Sequence, residues 1–174
     1  MDSMASTPPV LVFMGPSGTG KSTVAAMLAG RLGWAFEEGD DLHPAANVAK
    51  MAAGHALDDA DRAPWLDRVA AWIDDCIAAG IPGVITCSAL KHAYRDVLRR
   101  PEVTFVLLYG DPAIVRERLM RRQGHFMPPA LLDSQFATLE MPDATEQAIV
   151  VDLALSPQAQ VDDVIGRLHL APPA

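Results

Sequence analysis

Gly15-Pro16-Ser17-Gly18-Thr19-Gly20-Lys21-Ser22 (GPSGTGKS) decides how the rest of this 174-residue chain is read. The stretch fits the pattern G-x-x-x-x-G-K-[ST], with Gly15, Gly20, Lys21 and Ser22 at the fixed positions. Val10–Met14 (VLVFM) before it is a short apolar run of buried-strand type, and Thr23–Leu32 (TVAAMLAGRL) after it reads as a helix. Glycines let a backbone bend tightly and turn its N–H groups toward a phosphate. A helix N-terminus adds partial positive charge. On this reading Lys21 reaches the β- and γ-phosphates of ATP and the Ser22 hydroxyl holds Mg²⁺. Pro16, Ser17, Gly18, Thr19 and Thr23 complete the nucleotide contacts. The plainer alternative is a glycine-rich turn in front of a helix.

Outward from that loop, five short apolar runs alternate with helical patterns: Val10–Met14, Ala35–Glu38, Gly83–Cys87, Thr104–Tyr109 and Ile149–Leu155. Strands separated by helices argue for βαβ units, hence an α/β three-layer sandwich with a parallel sheet covered on both faces. The clearest helix spans about Asp61–Ala79, where Trp65, Leu66, Val69, Trp72, Ile73, Cys76 and Ile77 recur at helical spacing. Pro64 suits its first turn and Gly80 its stop, and both tryptophans read as core. Further helices are expected over Ala89–Arg99, Asp111–Arg122, Pro128–Glu140 and Gln158–Leu168. No linker divides the chain, so a single domain over residues 10–171 is expected, with Met1–Pro9 and Ala171–Ala174 as frayed tails.

Composition narrows the function. A formal net charge of −8 speaks against sequence-blind nucleic-acid binding. Cys76 and Cys87 lie in apolar segments and read as reduced core residues of a cytoplasmic protein. There is no secretion signal at Met1–Pro9 and no run of about 18 apolar residues, so no membrane is involved.

Three constellations could carry chemistry. Glu37-Glu38-Gly39-Asp40-Asp41-Leu42-His43-Pro44 crowds carboxylates at the C-terminal end of the second strand, the edge where ligands bind in open α/β sheets. Asp40 is the preferred base for a substrate hydroxyl. The alternative is that Asp40 or Asp41 caps the following helix, and His43 is as readily structural as functional. The third strand ends Thr86-Cys87-Ser88-Ala89-Leu90-Lys91 without a carboxylate, leaving the metal to Ser22, phosphate oxygens and water, with Glu38 or Asp40 as further candidates. Lys91, near a helix start, is poorly placed for the helix dipole and suits an anion. Arg116–Pro129 (RERLMRRQGHFMPP) interrupts two helices with arginines and looks like a lid over phosphates, spanning about residues 119–140. A solvated basic face is the alternative.

The chain resembles the gluconokinases, small phosphate-loop kinases related to shikimate and nucleoside monophosphate kinases. The matching stretches are GPSGTGKS, Gly39–Leu66 (GDDLHPAANVAKMAAGHALDDADRAPWL), Cys87–Arg99 (CSALKHAYRDVLR), Gly124–Glu140 (GHFMPPALLDSQFATLE) and the strand IVVDL. The resemblance implies ATP-dependent phosphorylation of the 6-hydroxyl of D-gluconate, a homodimer, sheet order 2-3-1-4-5 and a closing lid. It also implies Asp40 as substrate-binding carboxylate and general base, Arg62 as the grip on the substrate carboxylate, Arg118 on the adenine and Arg122 on phosphate. Gluconate carries one carboxylate and five hydroxyls. Arg62, Lys91, Arg95, His43 and Ser88 can supply the cation and hydrogen bonds it needs, with His125 of the GHF segment beside them. Two alternatives stay open: a kinase of another small anion such as shikimate, and a nucleotide-binding regulator without efficient turnover.

Overall fold

In the computed structural model, which describes residues 7–121 and 129–173, the five residues of β1 (Val10–Met14) are all buried. A strand covered on both faces belongs at the centre of a sheet. β1 lies there, between β3 (Gly83–Thr86) and β4 (Val103–Tyr109), with β2 (Ala35–Glu38) and β5 (Ala148–Asp152) at the edges. All four pairings are parallel and the order is β2-β3-β1-β4-β5, as expected. Side chains alternate across a strand. Val10, Val12 and Met14 therefore join Trp65, Val69 and Ile73 of α3 (Asp59–Ala79), with Tyr94 and Leu98 of α4 (His92–Leu98). Leu11 and Phe13 face the opposite way, onto Val24 and Leu28 of α1 (Lys21–Leu32) and Val161 and Val164 of α7 (Pro157–Leu168). The remaining helices are α2 (Ala45–Ala52), α5 (Pro112–Arg121) and α6 (Pro129–Thr138).

Several boundaries differ from the sequence reading, each for a physical reason. α3 starts at Asp59, before Asp61. Asp58 caps it by accepting from Asp61 N–H at 2.7 Å, and Asp61 returns the contact to Asp58 N–H at 3.0 Å. Pro64 therefore sits inside the helix, where its missing N–H removes one helical bond. β5 ends at Asp152, whose Oδ1 accepts from Ala154 N–H and turns the chain. Neither Asp40 nor Asp41 caps a helix: α2 begins after Pro44 with no side-chain cap.

The largest departure is at Ala89–Lys91. A helix was expected from Ala89, but Ala89 takes φ +43° and α4 begins only at His92. Arg95, expected at the substrate, is the cause. Its side chain is wholly buried, and Nε donates to Glu146 Oε1 at 2.7 Å. Nη1 donates to the carbonyls of Ala89 and Leu90 at 2.8 and 3.2 Å, and Nη2 to that of Glu140 at 2.7 Å. A guanidinium so committed holds the β3–α4 segment open and has nothing left for a ligand. Burial alone would raise the Glu146 pKa, but Arg95, His92 and the Asp143 N–H outweigh it and hold the carboxyl below its usual range.

Removing Glu146 leaves a buried guanidinium without its counter-ion. Glu146→Ala is expected to lose about 3–5 kcal/mol in denaturant unfolding. The carboxyl's lowered pKa means its contribution is complete above pH 4.5 and declines as pH falls through the folded value. The acid limb of the stability–pH curve should therefore shrink in the variant. An unchanged midpoint and an unchanged acid limb would refute the role given to this pair.

Candidate active site

The phosphate-binding candidate is built from β1, the loop Gly15–Gly20 and the first turn of α1. Gly20 has φ +94°, a conformation side chains resist, and α1 has no side-chain cap and no acidic residue in its first turn. The loop's first half is satisfied by the protein: Gly15 N–H donates to Ser88 O at 3.1 Å and Ser17 N–H to Gln135 Oε1 at 2.7 Å. Thr19 is fully buried and its hydroxyl donates to Pro16 O at 3.0 Å. The N–H groups of Gly18, Gly20, Lys21 and Ser22 find no acceptor among the described residues. Uncapped donors at a helix N-terminus suit an anion. Lys21 Nζ donates back to Gly15 O at 2.7 Å and Pro16 O at 2.8 Å. Burial lowers its pKa to about 8, with Asp40 the strongest opposing charge and Glu38 also opposing.

Beside the loop lies a cavity of about 220 Å³, lined by Gly18, Gly20, Thr23, Arg118, Pro157 and Gln160 among others. Arg118 Nη2 donates to Leu153 O at 2.7 Å, which fixes the guanidinium in the wall. Gln160 Nε2 donates to Leu155 O at 2.9 Å, so its Oε1 is the buried acceptor left without a partner.

Across the same sheet edge stands the acidic turn. Glu38 ends β2, and Gly39–Leu42 is a single 3₁₀ turn, so Asp40 does not continue the strand alternation that would project it alongside Glu38. The turn is fastened to β3. Gly39 N–H donates to Thr86 Oγ1 at 3.1 Å, Thr86 Oγ1 donates to Glu38 Oε2 at 2.9 Å, and Trp65 Nε1 donates to Gly39 O at 2.7 Å. His43 stacks on Trp65 with ring centroids 4.2 Å apart. Asn47 Nδ2 donates to Asp61 O at 2.8 Å and lies 3.3 Å from His43 Nδ1. The Asp61 carbonyl requires the nitrogen side of that amide, so Nδ1 of His43 accepts and the neutral ring carries its proton on Nε2. Burial, aided by Arg62, lowers the His43 pKa against the opposing Asp40.

Arg62 Nη1 donates to the Tyr94 hydroxyl at 3.0 Å, and no carboxylate among the described residues lies within ion-pair distance of it. Lys91 differs from the free anion-binding group expected: its ammonium pairs with Asp59 at 3.1 Å. Tyr94 also hydrogen-bonds Asp59, and Arg62 and Lys91 each lie 5.5 Å from the Tyr94 ring centre. Hydrogen bonds from Tyr94 and then Lys91 lower the Asp59 pKa. Ser88 contributes its carbonyl to the loop. Arg122 and His125 lie outside the described residues, as does the middle of the expected lid.

An AAA domain family matches residues 10–142. A gluconokinase of Gluconobacter oxydans (strain 621H) is 49% identical over 164 residues, covering 93% of this chain and 92% of its own. The chain belongs to the gluconokinase family. Among solved structures, an unliganded sugar kinase from Janibacter sp. HTCC2649 has 44% identity and a TM-score of 0.88 over 95% of this chain and 96% of that one. A gluconokinase from Sinorhizobium meliloti 1021 has 40% identity and a TM-score of 0.78 over 94% and 97%.

Within this gluconokinase-family site, sequence reasoning missed Trp65, Thr86, Asn47, Tyr94, Asp59, Gln135 and Gln160. Trp65 alone left a signal, because a buried indole N–H needs an acceptor. The lowered Lys21 pKa gives a direct test. Phosphate charge raises it again, so ADP binding near pH 8.5, where the nucleotide phosphates are fully ionised, should take up a fraction of a proton. Calorimetry in buffers of different ionisation enthalpy measures this. Equal uptake by Lys21→Met would assign the proton to another group.

Proposed function

We propose that the chain transfers the γ-phosphoryl group of ATP to the 6-hydroxyl of D-gluconate, giving 6-phospho-D-gluconate and ADP. The observation that carries this reading is that the phosphate loop and the acidic turn are both fastened at the end of β3, the loop through Ser88 O and the turn through Thr86 Oγ1. Phosphate-binding donors and a hydroxyl-accepting carboxylate thus share one edge, in a phosphotransferase whose relatives are gluconokinases. Those relatives do not favour a shikimate-like substrate or a regulator without turnover.

In this proposal the free N–H groups of Gly18, Gly20, Lys21 and Ser22 hold the β- and γ-phosphates, and Pro16, Ser17, Thr19 and Thr23 shape the loop around them. Arg118 and Pro157 flank the adenine, and the unpaired Gln160 acceptor matches its exocyclic amino group. Mg²⁺, when bound, neutralises charge between the phosphates, and Ser22 would hold it. The donor set fits: among the described residues no group of three His, Cys, Asp or Glu side chains could cage a metal, and Mg²⁺ commonly relies on few protein ligands plus phosphate oxygens. Arg62 grips the gluconate carboxylate, with its planar fork free of any carboxylate among the described residues. His43 donates from Nε2 to a hydroxyl. Ser88 and Lys91 border the sugar acid, Lys91 by exchanging Asp59 for it. Arg122 and His125 complete the phosphate and sugar contacts. Asp40 takes the proton of the 6-hydroxyl as its oxygen bonds to the γ-phosphorus and the bond to the β-phosphate oxygen breaks. Positioning and charge neutralisation carry most of the rate.

We also propose one kinase domain over residues 10–171 with a lid at about 119–140, a homodimer, and a cytoplasmic location. The buried free thiols Cys76 and Cys87 agree with a reducing compartment. No helix among the described residues is long and apolar enough to cross a membrane.

Two substitutions test the assignment with ATP and a panel of sugar acids. Asp40→Asn keeps size but cannot take a proton, so kcat should fall by about 10²–10⁴-fold with ATP binding little changed. Wild-type turnover would remove Asp40 as base. Arg62→Met keeps the stem and loses the fork. KM for gluconate should rise far more than KM for ATP, whereas equal movement of both would make Arg62 a structural partner of Tyr94.

A further inference from the structure

The hydrogen bond from Ser17 N–H to Gln135 Oε1 joins residues 118 positions apart, and it stands at the end of a continuous connection. α6 carries Gln135 across the functional edge of the sheet. Its Leu132 and Phe136 pack in the core layer of α1 and α7. Leu139, one residue beyond the helix, packs against the opposite layer of α3 and α4. Glu140 follows, and three groups of the β3–α4 region meet it. Its N–H donates to Leu90 O at 2.7 Å, its Oε1 accepts from His92 N–H at 2.8 Å, and its carbonyl accepts from Arg95 at 2.7 Å. That same segment returns to the loop, because Ser88 O accepts from Gly15 N–H. The connection closes a ring: Ser17, Gln135, Glu140, Leu90, Ser88, Gly15.

The ring has a chemical logic. Pro16 has no N–H, so Gly15 and Ser17 are the two donors of the loop's first half. Both are held by elements that Glu140 ties together, while the second half is left open to a ligand. The acceptor on Ser17 is a neutral amide, which fixes the loop without placing negative charge beside a phosphate. Leu119 of α5 stands over Gly18, where a Cβ would come within 2.7 Å of it, and Arg116 of α5 pairs with Asp133 of α6. The two helices therefore press on the loop together.

We propose that Gln135 is a positioning residue of the phosphate loop, and that α6 with Glu140 is a strut coupling nucleotide occupancy to the sugar-acid side of the site. A phosphate drawn into the open half pulls on Gly15–Ser17. The ring passes that shift to Ser88–His92, beside the Lys91 ammonium and the Asp59 carboxylate it pairs with. Binding of either substrate then favours the other, by the reciprocity of linked sites.

This inference rests on the assignment of ATP to the loop and D-gluconate to the acidic edge. The experiment measures the dissociation constant of the β,γ-imido analogue of ATP with and without saturating D-gluconate, alongside steady-state kinetics. The wild type should show coupling of about fivefold or more. Gln135→Met keeps length and loses the acceptor. Its coupling should fall toward one and its kcat/KM by about ten- to a hundredfold, with an unchanged thermal midpoint because the side chain is only half-buried. Gln135→Glu keeps the acceptor and adds charge, so it should bind the analogue more weakly while retaining the coupling. Wild-type coupling of one, or wild-type coupling and kinetics in Gln135→Met, overturns the strut. A wild type that leaves D-gluconate unphosphorylated overturns instead the reading on which it rests.

Discussion

The site depends on how closely the end of β2 approaches β3. A Cβ on Gly39 would stand 1.9 Å from Thr86 O, so no other residue fits there without separating the strands. The gain from this closeness is positional. Gly39 N–H reaches Thr86 Oγ1, that hydroxyl reaches Glu38, and the Gly39 carbonyl is left facing Trp65 Nε1. Three hydrogen bonds thus fasten the turn that carries Asp40, with Glu38 and Thr86 already in register as strand partners. Trp65 converts a core position on α3 into a support for two groups of the candidate site, because the ring that fills the core also stacks on His43. Substitution of Trp65 by another apolar residue would keep burial and lose both the N–H and the stacking face.

The charge arrangement answers a second constraint. The chain is acidic overall, yet its central cation is a lysine whose burial lowers its pKa to about 8. An ammonium taken out of water loses hydration. Gly15 O and Pro16 O replace part of it, and the carboxylates at the end of β2 contribute favourable field. In the proposed function those acids serve two ends at once: they favour the charged form of Lys21, and one of them takes the proton of a substrate hydroxyl. Asp59 has a comparable place on the other side of the site. It keeps Lys91 paired, and through Tyr94 it is linked to Arg62 without occupying that guanidinium.

What could be read from the sequence follows from how local each feature is. The loop was legible because a fixed run of backbone geometry demands glycines at set positions, and the parallel sheet because β1 and β4 are apolar on both faces. Gly80 was legible as a stop, and it ends α3 at φ +67°. Arg95 was misread because Arg62, Lys91 and Arg95 look alike until burial is known, and Glu146, the residue that explains it, is 51 positions away. The ion pair of Lys91 was hidden for the same reason, since Asp59 lies 32 positions upstream. Pro64 misled in another way. Proline marks first turns, but the reciprocal Asp58–Asp61 cap outweighs one lost helical bond. Gln135 left no trace, because nothing in its own neighbourhood indicates that its partner is Ser17.

A buried ion pair is by itself weak evidence for stability, since well-packed apolar residues often do as well. Arg95 and Glu146 are different because the guanidinium has three backbone carbonyls to satisfy besides the carboxylate. Two of those carbonyls, of Ala89 and Leu90, belong to the left-handed turn at Ala89, a conformation that costs about 1–2 kcal/mol for a residue with a Cβ, and the third, of Glu140, follows α6. An apolar pair would remove the ions and leave the carbonyls bare, each at about 1–3 kcal/mol. The turn would then relax toward helix, as the local sequence favours, and Ser88 would swing away from Gly15. The pair therefore belongs to the architecture of the phosphate loop. It holds the segment from Ser88 to Lys91 out of the helix, in an arrangement that both grips the loop and meets Glu140 after α6.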